Sequence, residues 1–221
     1  LIAGKPLAMP WVKENADALL VQWYAGEQQG CTLADILLGK VNPSGKLNVS
    51  FPRSTGNTPC FYNHFVTDRE EPFDQPGTPE EPKGHYIFDK PEPLWNFGHG
   101  KSYTTFDYVD CALSDTLLVA SDTLKVSVTI KNTGRRDGKE VVLLYVRDKV
   151  STVATPIQQL KAFQKVLVKS GESQCVELSL PIAELALYNA KMEEVVEPGD
   201  FEIQIGAASD DIRFKKTITI N

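Results

Sequence analysis

The pattern of apolar and polar positions divides the chain into three stretches of different period. In the first, Val12, Ala16, Leu19, Leu20 and Trp23 recur at three- and four-residue spacing, which predicts one face of a helix. A glycine-containing loop, Ala25 to Gly30, follows. A second helix is predicted to open at Thr32, its hydroxyl serving as N-cap with Asp35 three residues on, as in a capping box. Leu33, Ile36 and Leu37 form its apolar face, and Gly39 suits its C-terminal stop. Asn42-Pro43-Ser44-Gly45 reads as a turn. Lys46 to Phe51 then alternates, with Leu47, Val49 and Phe51 inward and Asn48 and Ser50 wet, as in a half-buried strand. Residues 1–52 therefore read as α/β. Leu1-Ile2-Ala3 looks like the end of a buried strand whose neighbours lie elsewhere.

The last stretch, 106–221, carries the two-residue period of strands. Leu124, Val126, Val128 and Ile130 alternate with polar residues, and Glu140 to Val146 is an apolar run. Lys161–Val168, Gln174–Leu180, Asp200–Ile205 and Arg213–Ile220 supply further strands. Turn residues at Asn132 to Gly138, Lys169 to Glu172 and Glu197 to Asp200 separate them. About seven short strands with regular turns predict an immunoglobulin-like β-sandwich. The absence of a Cys…Trp…Cys pattern favours a fibronectin type III-like variant. The overall fold class is α+β: a partial α/β-sandwich remnant followed by this β-sandwich.

Between them, residues 53–105 have no sustained period. Seven prolines fall between positions 59 and 93, yet Phe61, Tyr62, Phe65, Tyr86, Phe88, Trp95, Phe97 and Tyr103 crowd the same stretch. A disordered linker rarely holds so many aromatics. The expectation is an extended segment clamped between the flanking zones, with Phe61, Tyr62, Phe97 and Tyr103 mostly buried.

Composition narrows the function classes. A net charge of −6 argues against nucleic acid or an anionic membrane surface as partner, since both require clustered Lys and Arg. No apolar run approaches the length of a membrane span. The cysteines at 31, 60, 111 and 175 form no C-x-x-C, which disfavours zinc and redox motifs. Each is expected to be a buried free thiol, with a disulfide left open.

Several stretches, in order, resemble glycoside hydrolase family 3. Trp23-Tyr24-Ala25-Gly26-Glu27-Gln28-Gln29-Gly30, Leu33 to Gly39, and Asn42 to Leu47 running into Phe51-Pro52-Arg53-Ser54 are similar to the end of that family's second domain. Asn96-Phe97-Gly98-His99-Gly100-Lys101-Ser102-Tyr103-Thr104-Thr105-Phe106 resembles a family signature. Val126–Gly134, Glu140–Asp148, Gln159–Phe163 and Glu197–Phe201 look like its appended fibronectin type III-like domain. Departures are Gln29-Gly30 where two glycines are usual, His99 for a common Tyr, Lys101 for Leu, and an acidic, proline-rich Arg69 to Lys83. The resemblance implies a retaining β-glucosidase-like hydrolase of the bacterial periplasmic or secreted kind, acting on an oligosaccharide or β-glucoside without a cofactor. Such chemistry needs two carboxylates about 5–5.5 Å apart, one attacking the anomeric carbon and one protonating the leaving oxygen. The resemblance places both in N-terminal domains upstream of Leu1, so no catalytic residue is carried onto this chain.

What remains are candidates for the rim of a substrate cleft: Trp23, Glu27 and Gln28. Against this, Glu27 reads more readily as a solvated loop carboxylate, and Trp23 as part of the apolar core. His64, His85 and His99 are spaced by 21 and 14 residues, which fits no metal-ligand pattern. Asp210-Asp211 and Glu193-Glu194 are neighbours whose side chains diverge on a strand. Trp95 and Tyr103 can stack on sugar or serve interdomain packing. A free-standing carbohydrate-binding or cell-surface module is the alternative function class. It would need aromatics on one exposed sandwich face, whereas Phe106, Tyr108, Tyr145, Phe163, Tyr188, Phe201 and Phe214 mostly take core-type positions.

Overall fold

The structure is a computed structural model that describes residues 1–65, 78–80, 90 and 92–221. Phe73, His85, Tyr86 and Phe88 lie outside the described residues, as does most of the acidic stretch around them.

The C-terminal half is a β-sandwich. Its strands are β1 (Phe106–Leu113), β2 (Leu117–Leu118), β3 (Thr123–Asn132), β4 (Gly138–Asp148), β5 (Gln159–Val168), β6 (Ser173–Pro181), β7 (Leu187–Tyr188), β8 (Glu194–Val195), β9 (Gly199–Ala208) and β10 (Asp211–Ile220). One sheet runs β1-β3-β6 and the other β2-β10-β9-β4-β5, while β7 and β8 form a small hairpin. All pairings are antiparallel except that of β2 with β10. The inward set of β3 (Leu124, Val126, Val128, Ile130) meets Val142, Leu144 and Val146 of β4, with Ile203, Ile205, Ile218 and Ile220 beside them. Alternation in the sequence thus becomes one continuous core.

β4 is buried on both faces from Glu140 to Val146, as is its neighbour β9 from Ile203 to Ala208. Its outward residues Val141, Leu143 and Tyr145 are roofed by Tyr62 and Phe97 from the segment before the sandwich, together with Leu160 and Ile212. Tyr62 stacks on Phe97 with ring centroids 4.4 Å apart, and its edge meets Tyr145 at 5.8 Å. Such ring pairs add about 0.5–1.5 kcal/mol beyond the area they bury. The clamp reading therefore holds for Tyr62 and Phe97. It fails for Phe61, which is 63% exposed, and for Tyr103, which is 47% exposed. Tyr103 still bonds across zones: its hydroxyl donates to the Ile36 carbonyl and the Arg136 guanidinium lies over its ring.

The N-terminal zone departs from the periodicity reading. Helix α1 spans only Pro10–Asn15. Leu19 to Gln22 continue as non-helical chain beside Leu1, with the Gln22 amide donating to the Leu1 carbonyl at 2.9 Å. The run Ala18-Leu19-Leu20-Val21 is as apolar as a buried strand, and such short runs fit either period. Helix α2 is Gln29–Leu37 and starts before Thr32, with no side-chain cap. Gly39 does end it, at φ +70, where a side chain would be strained. Lys46 to Phe51 is not a sheet strand. It pairs only locally with residues 94–99, through Leu47 and His99, Gly98 and Leu47, and Phe51 and Trp95. Ser50, expected to be wet, is buried because its hydroxyl accepts the Phe97 amide.

Two cysteines also differ from expectation. Cys111 is buried, but Cys31 and Cys175 are exposed, and all four are free. Cys175 follows the strand period: Val176 turns inward, so its neighbour turns out. On the sandwich, Phe163 and Tyr188 are exposed rather than core.

Residues 96–106 form the seam between the zones. Gly98, at φ +83, lies so close to Ala208 and Leu143 that a Cβ would clash with both. Gly100 lies against the Gly45 carbonyl with no space for a side chain. Asn42 donates to the Asp137 carbonyl and accepts from the Ser102 hydroxyl and the Tyr103 amide. Thr104 donates to the fully buried Asn132, which in turn donates to the carbonyls of Arg136 and Val168. Lys46 Nζ sits 3.1 Å from Glu140 Oε1, with side-chain exposures of 15% and 7%. The Tyr108 hydroxyl also donates to Glu140, at 3.3 Å. Burial pushes the Glu140 carboxyl above its ordinary value, against the opposing pull of the Lys46 ammonium and the Tyr108 hydroxyl.

Two predictions follow from this packing. Residues 106–221 expressed alone fold cooperatively, because the inter-sheet core is built wholly from that range, while the outer face of β4 loses its Tyr62 and Phe97 cover. Leu144→Ala lowers the stability of that fragment by about 2–5 kcal/mol in urea titration. Non-cooperative melting of the fragment would contradict this. For the seam, Lys46→Met leaves a buried carboxylate unpaired and costs the chain about 3–5 kcal/mol at neutral pH. A carboxyl raised in the folded state binds more protons there than when unfolded. Stability is therefore greatest below its ordinary value and falls as pH rises through the raised one. Removing Lys46 raises that carboxyl further, so the deficit of Lys46→Met against wild type narrows on acidification. A deficit independent of pH, measured by paired thermal melts, would remove Glu140 from the account.

Candidate functional site

The three rim candidates lie on one stretch, the turn between residues 22 and 29. Trp23 adopts φ +52, a left-handed conformation costly for a bulky side chain. Its ring packs on Phe51 at 5.8 Å, and Phe51, fully buried, meets the edge of Trp95 at 5.8 Å. Lys13 caps this wall: its ammonium lies 5.8 Å from the Trp95 ring centroid and donates to the Leu94 carbonyl at 2.6 Å. Trp23 is therefore a half-buried packing residue, while Glu27 and Gln28 are exposed at the loop tip. The loop closes with the Gln29 amide donating to the Gly26 carbonyl and the Gln22 side chain donating to the Gln29 carbonyl. Gly26, at φ +75, permits the turn. Tyr24, not singled out in the sequence, projects from the same loop with 77% exposure.

Chemically the exposed tip of the loop offers the Glu27 carboxylate, the Gln28 carboxamide and the Tyr24 ring. That suffices to bind hydroxyl groups, but a single carboxylate does not supply the two-carboxylate step. The other acidic pairs diverge, as expected of neighbours. Asp210 accepts from Asn96 at 2.7 Å, and Asp211 accepts from Arg213. Glu193 accepts from the Asn189 side chain within a turn. His99 is half-buried with its imidazole pushed below its ordinary value by burial, opposed by Asp210. His64 contacts the Phe65 carbonyl, and His85 lies outside the described residues. Among the described residues, no three His, Cys, Asp or Glu side chains are grouped to hold a metal ion.

Sequence reasoning missed the supports of the loop: Lys13, Phe51 and Trp95. Phe51 falls on the inward side of the alternation, but nothing in the spacing says that it meets Trp95, forty-four residues away. It missed Lys46 and Glu140 for the same reason. A single charge at the start of an apolar run, as Glu140 is, was the available signal.

Known proteins resemble this chain over nearly its whole length. Residues 1–103 match the family model described as the glycosyl hydrolase family 3 C-terminal domain, and residues 140–209 match the fibronectin type III-like domain. A periplasmic beta-glucosidase of Salmonella typhimurium is 39% identical over 212 residues, covering 95% of this chain and 27% of that protein. A beta-xylosidase of Formosa agariphila is 40% identical over 215 residues, covering 96% of this chain and 28% of that protein. A crystal structure of the beta-glucosidase from Listeria innocua in complex with glucose superposes with a TM-score of 0.90 at 36% identity, covering 100% of this chain and 30% of that one. The chain thus spans under a third of the length of these relatives. With both of the family's domains matched in order and the seam between them built from its signature residues, the chain belongs to glycoside hydrolase family 3.

Proposed function

We propose that this chain is the C-terminal scaffold of a retaining β-glycosidase that hydrolyses β-glucosides or related oligosaccharides. The observation that carries this is a match at 36–40% identity, over at least 95% of the chain, to beta-glucosidases and a beta-xylosidase. In this reading residues 1–52 are the remnant of an α/β domain, 53–105 an interdomain strap and 106–221 the sandwich. Exposed Trp11, Leu37, Leu38 and Val41 in the first zone support it, since apolar side chains of this kind ask for a covering partner. The catalytic carboxylates and most of the sugar contacts belong to the rest of the polypeptide. Trp23, Glu27 and Gln28 form part of the cleft rim. The location is periplasmic or secreted, and the name of the Salmonella relative, a periplasmic beta-glucosidase, supports the first. Among the described residues, no helix is long and apolar enough to cross a membrane.

Assays on aryl β-glucosides and aryl β-xylosides test the division of labour. The full-length polypeptide turns over one or both, while residues 1–221 alone stay at the uncatalysed rate. In the full-length protein, Glu27→Gln raises KM several-fold, by roughly the worth of one hydrogen bond, and leaves kcat nearly unchanged. Turnover by the isolated chain that Glu27→Gln abolishes would place the chemistry here and sink the scaffold reading.

A further inference from the structure

We infer that Trp95, acting through Phe51 and braced by Lys13, holds Trp23 in its left-handed conformation and thereby sets the course of the loop from Tyr24 to Gln28. Trp95 and Lys13 are positioning residues for that loop. The importance of the loop to substrate rests on the rim reading above; its geometry does not.

Among the described residues only Trp23 and Met192 take positive φ without being glycine. Met192 sits in a surface turn whose amides are held by the Asn189 side chain and carbonyl. The bonds beside Trp23, from the Gln22 amide to the Leu1 carbonyl and from the Gln22 side chain to the Gln29 carbonyl, pin the ends of the loop but not the Trp23 ring, whose seat is set by packing; strain of this kind persists only where the surroundings over-determine it. The surroundings are the aromatic wall. Trp23 rests on Phe51, Phe51 on Trp95, and Trp95 lies beneath the Lys13 ammonium. Phe51 is itself pinned, its amide donating to the Trp95 carbonyl and its carbonyl accepting from the Leu94 amide. Trp95 comes from the strap that leads into the seam at Phe97 and Gly98. The loop is therefore tied mechanically to the sandwich, about seventy residues along the chain from its own helix α2. A change of φ at Trp23 to the right-handed region would swing Tyr24, which projects immediately after it, away from its seat over Gly4.

The test uses the full-length polypeptide. Cleavage after Glu27 by a glutamate-specific protease reports loop order, and cleavage after Glu172, in the turn between β5 and β6, serves as internal control. Trp95→Ala is expected to accelerate cleavage after Glu27 by about tenfold while cleavage after Glu172 stays at its wild-type rate, with Lys13→Met shifting it in the same direction and Trp95→Phe close to wild type. KM for a β-linked disaccharide should rise with loop cleavage, by about tenfold for Trp95→Ala, with a smaller change in kcat. Wild-type cleavage after Glu27 in Trp95→Ala overturns the inference, and so does equal acceleration at Glu172, which would mean global loosening. Should Trp95→Ala fail to fold, Trp95→Leu and Lys13→Met carry the same comparison, and wild-type rates in both overturn it. Faster loop cleavage with unchanged KM supports the positioning of the loop and removes it from the cleft rim.

Discussion

The burial of β4 on both faces is the constraint from which the rest follows. A sandwich sheet normally gives one face to water, and its strands alternate accordingly. β4 cannot, because Val141, Leu143 and Tyr145 face outward as an apolar patch. Something must cover them, and the strap does so with Tyr62 and Phe97. The proline-rich stretch before the sandwich is thereby a structural component at its two ends. Among its described aromatics, Tyr62 and Phe97 are enclosed over β4, Trp95 packs on Phe51, and Phe61 and Tyr103 are exposed.

Covering β4 also fixes the N-terminal zone. Gly98 lies so close to the sandwich, and Gly100 so close to the Gly45 carbonyl of the N-terminal zone, that neither admits a side chain, and the same segment pairs with Leu47 and Phe51. Hydrogen bonds from Asn42, Ser102, Thr104 and Asn132, with the buried Lys46–Glu140 pair, close the joint. A family signature that could be mistaken for chemistry is thus accounted for by packing. Its glycines allow backbone contact, and its hydroxyl residues satisfy polar groups that the joint removes from water. The signature's His99 takes no part in a group of metal-ligating side chains among the described residues.

The two halves of the chain were not equally legible. Alternation in β3 survives into the structure, and β6 shows the same pattern, because a strand's two-residue period is a direct record of which face is buried. The helical reading of Val12 to Trp23 did not survive, because Ala18 to Val21 is a short apolar run that suits either period. Where a segment packs against chain from elsewhere, its partner decides its conformation. The capping motif at Thr32 failed similarly: α2 begins earlier, at the turn that Gly26 makes possible, and Thr32 lies inside it.

By itself the sequence determined the sandwich, the turns between its strands, the stop at Gly39 and the membership of glycoside hydrolase family 3. Each of these is written in local order: period, turn residues, or motifs in sequence. Only the tertiary structure decided which aromatics the strap buries, that Ser50 and Glu140 are enclosed, and that Trp23 stands on a wall formed with Phe51 and Trp95. Those outcomes depend on contacts between residues tens of positions apart. No periodicity encodes them, because burial is a property of the surface that arrives to cover a side chain.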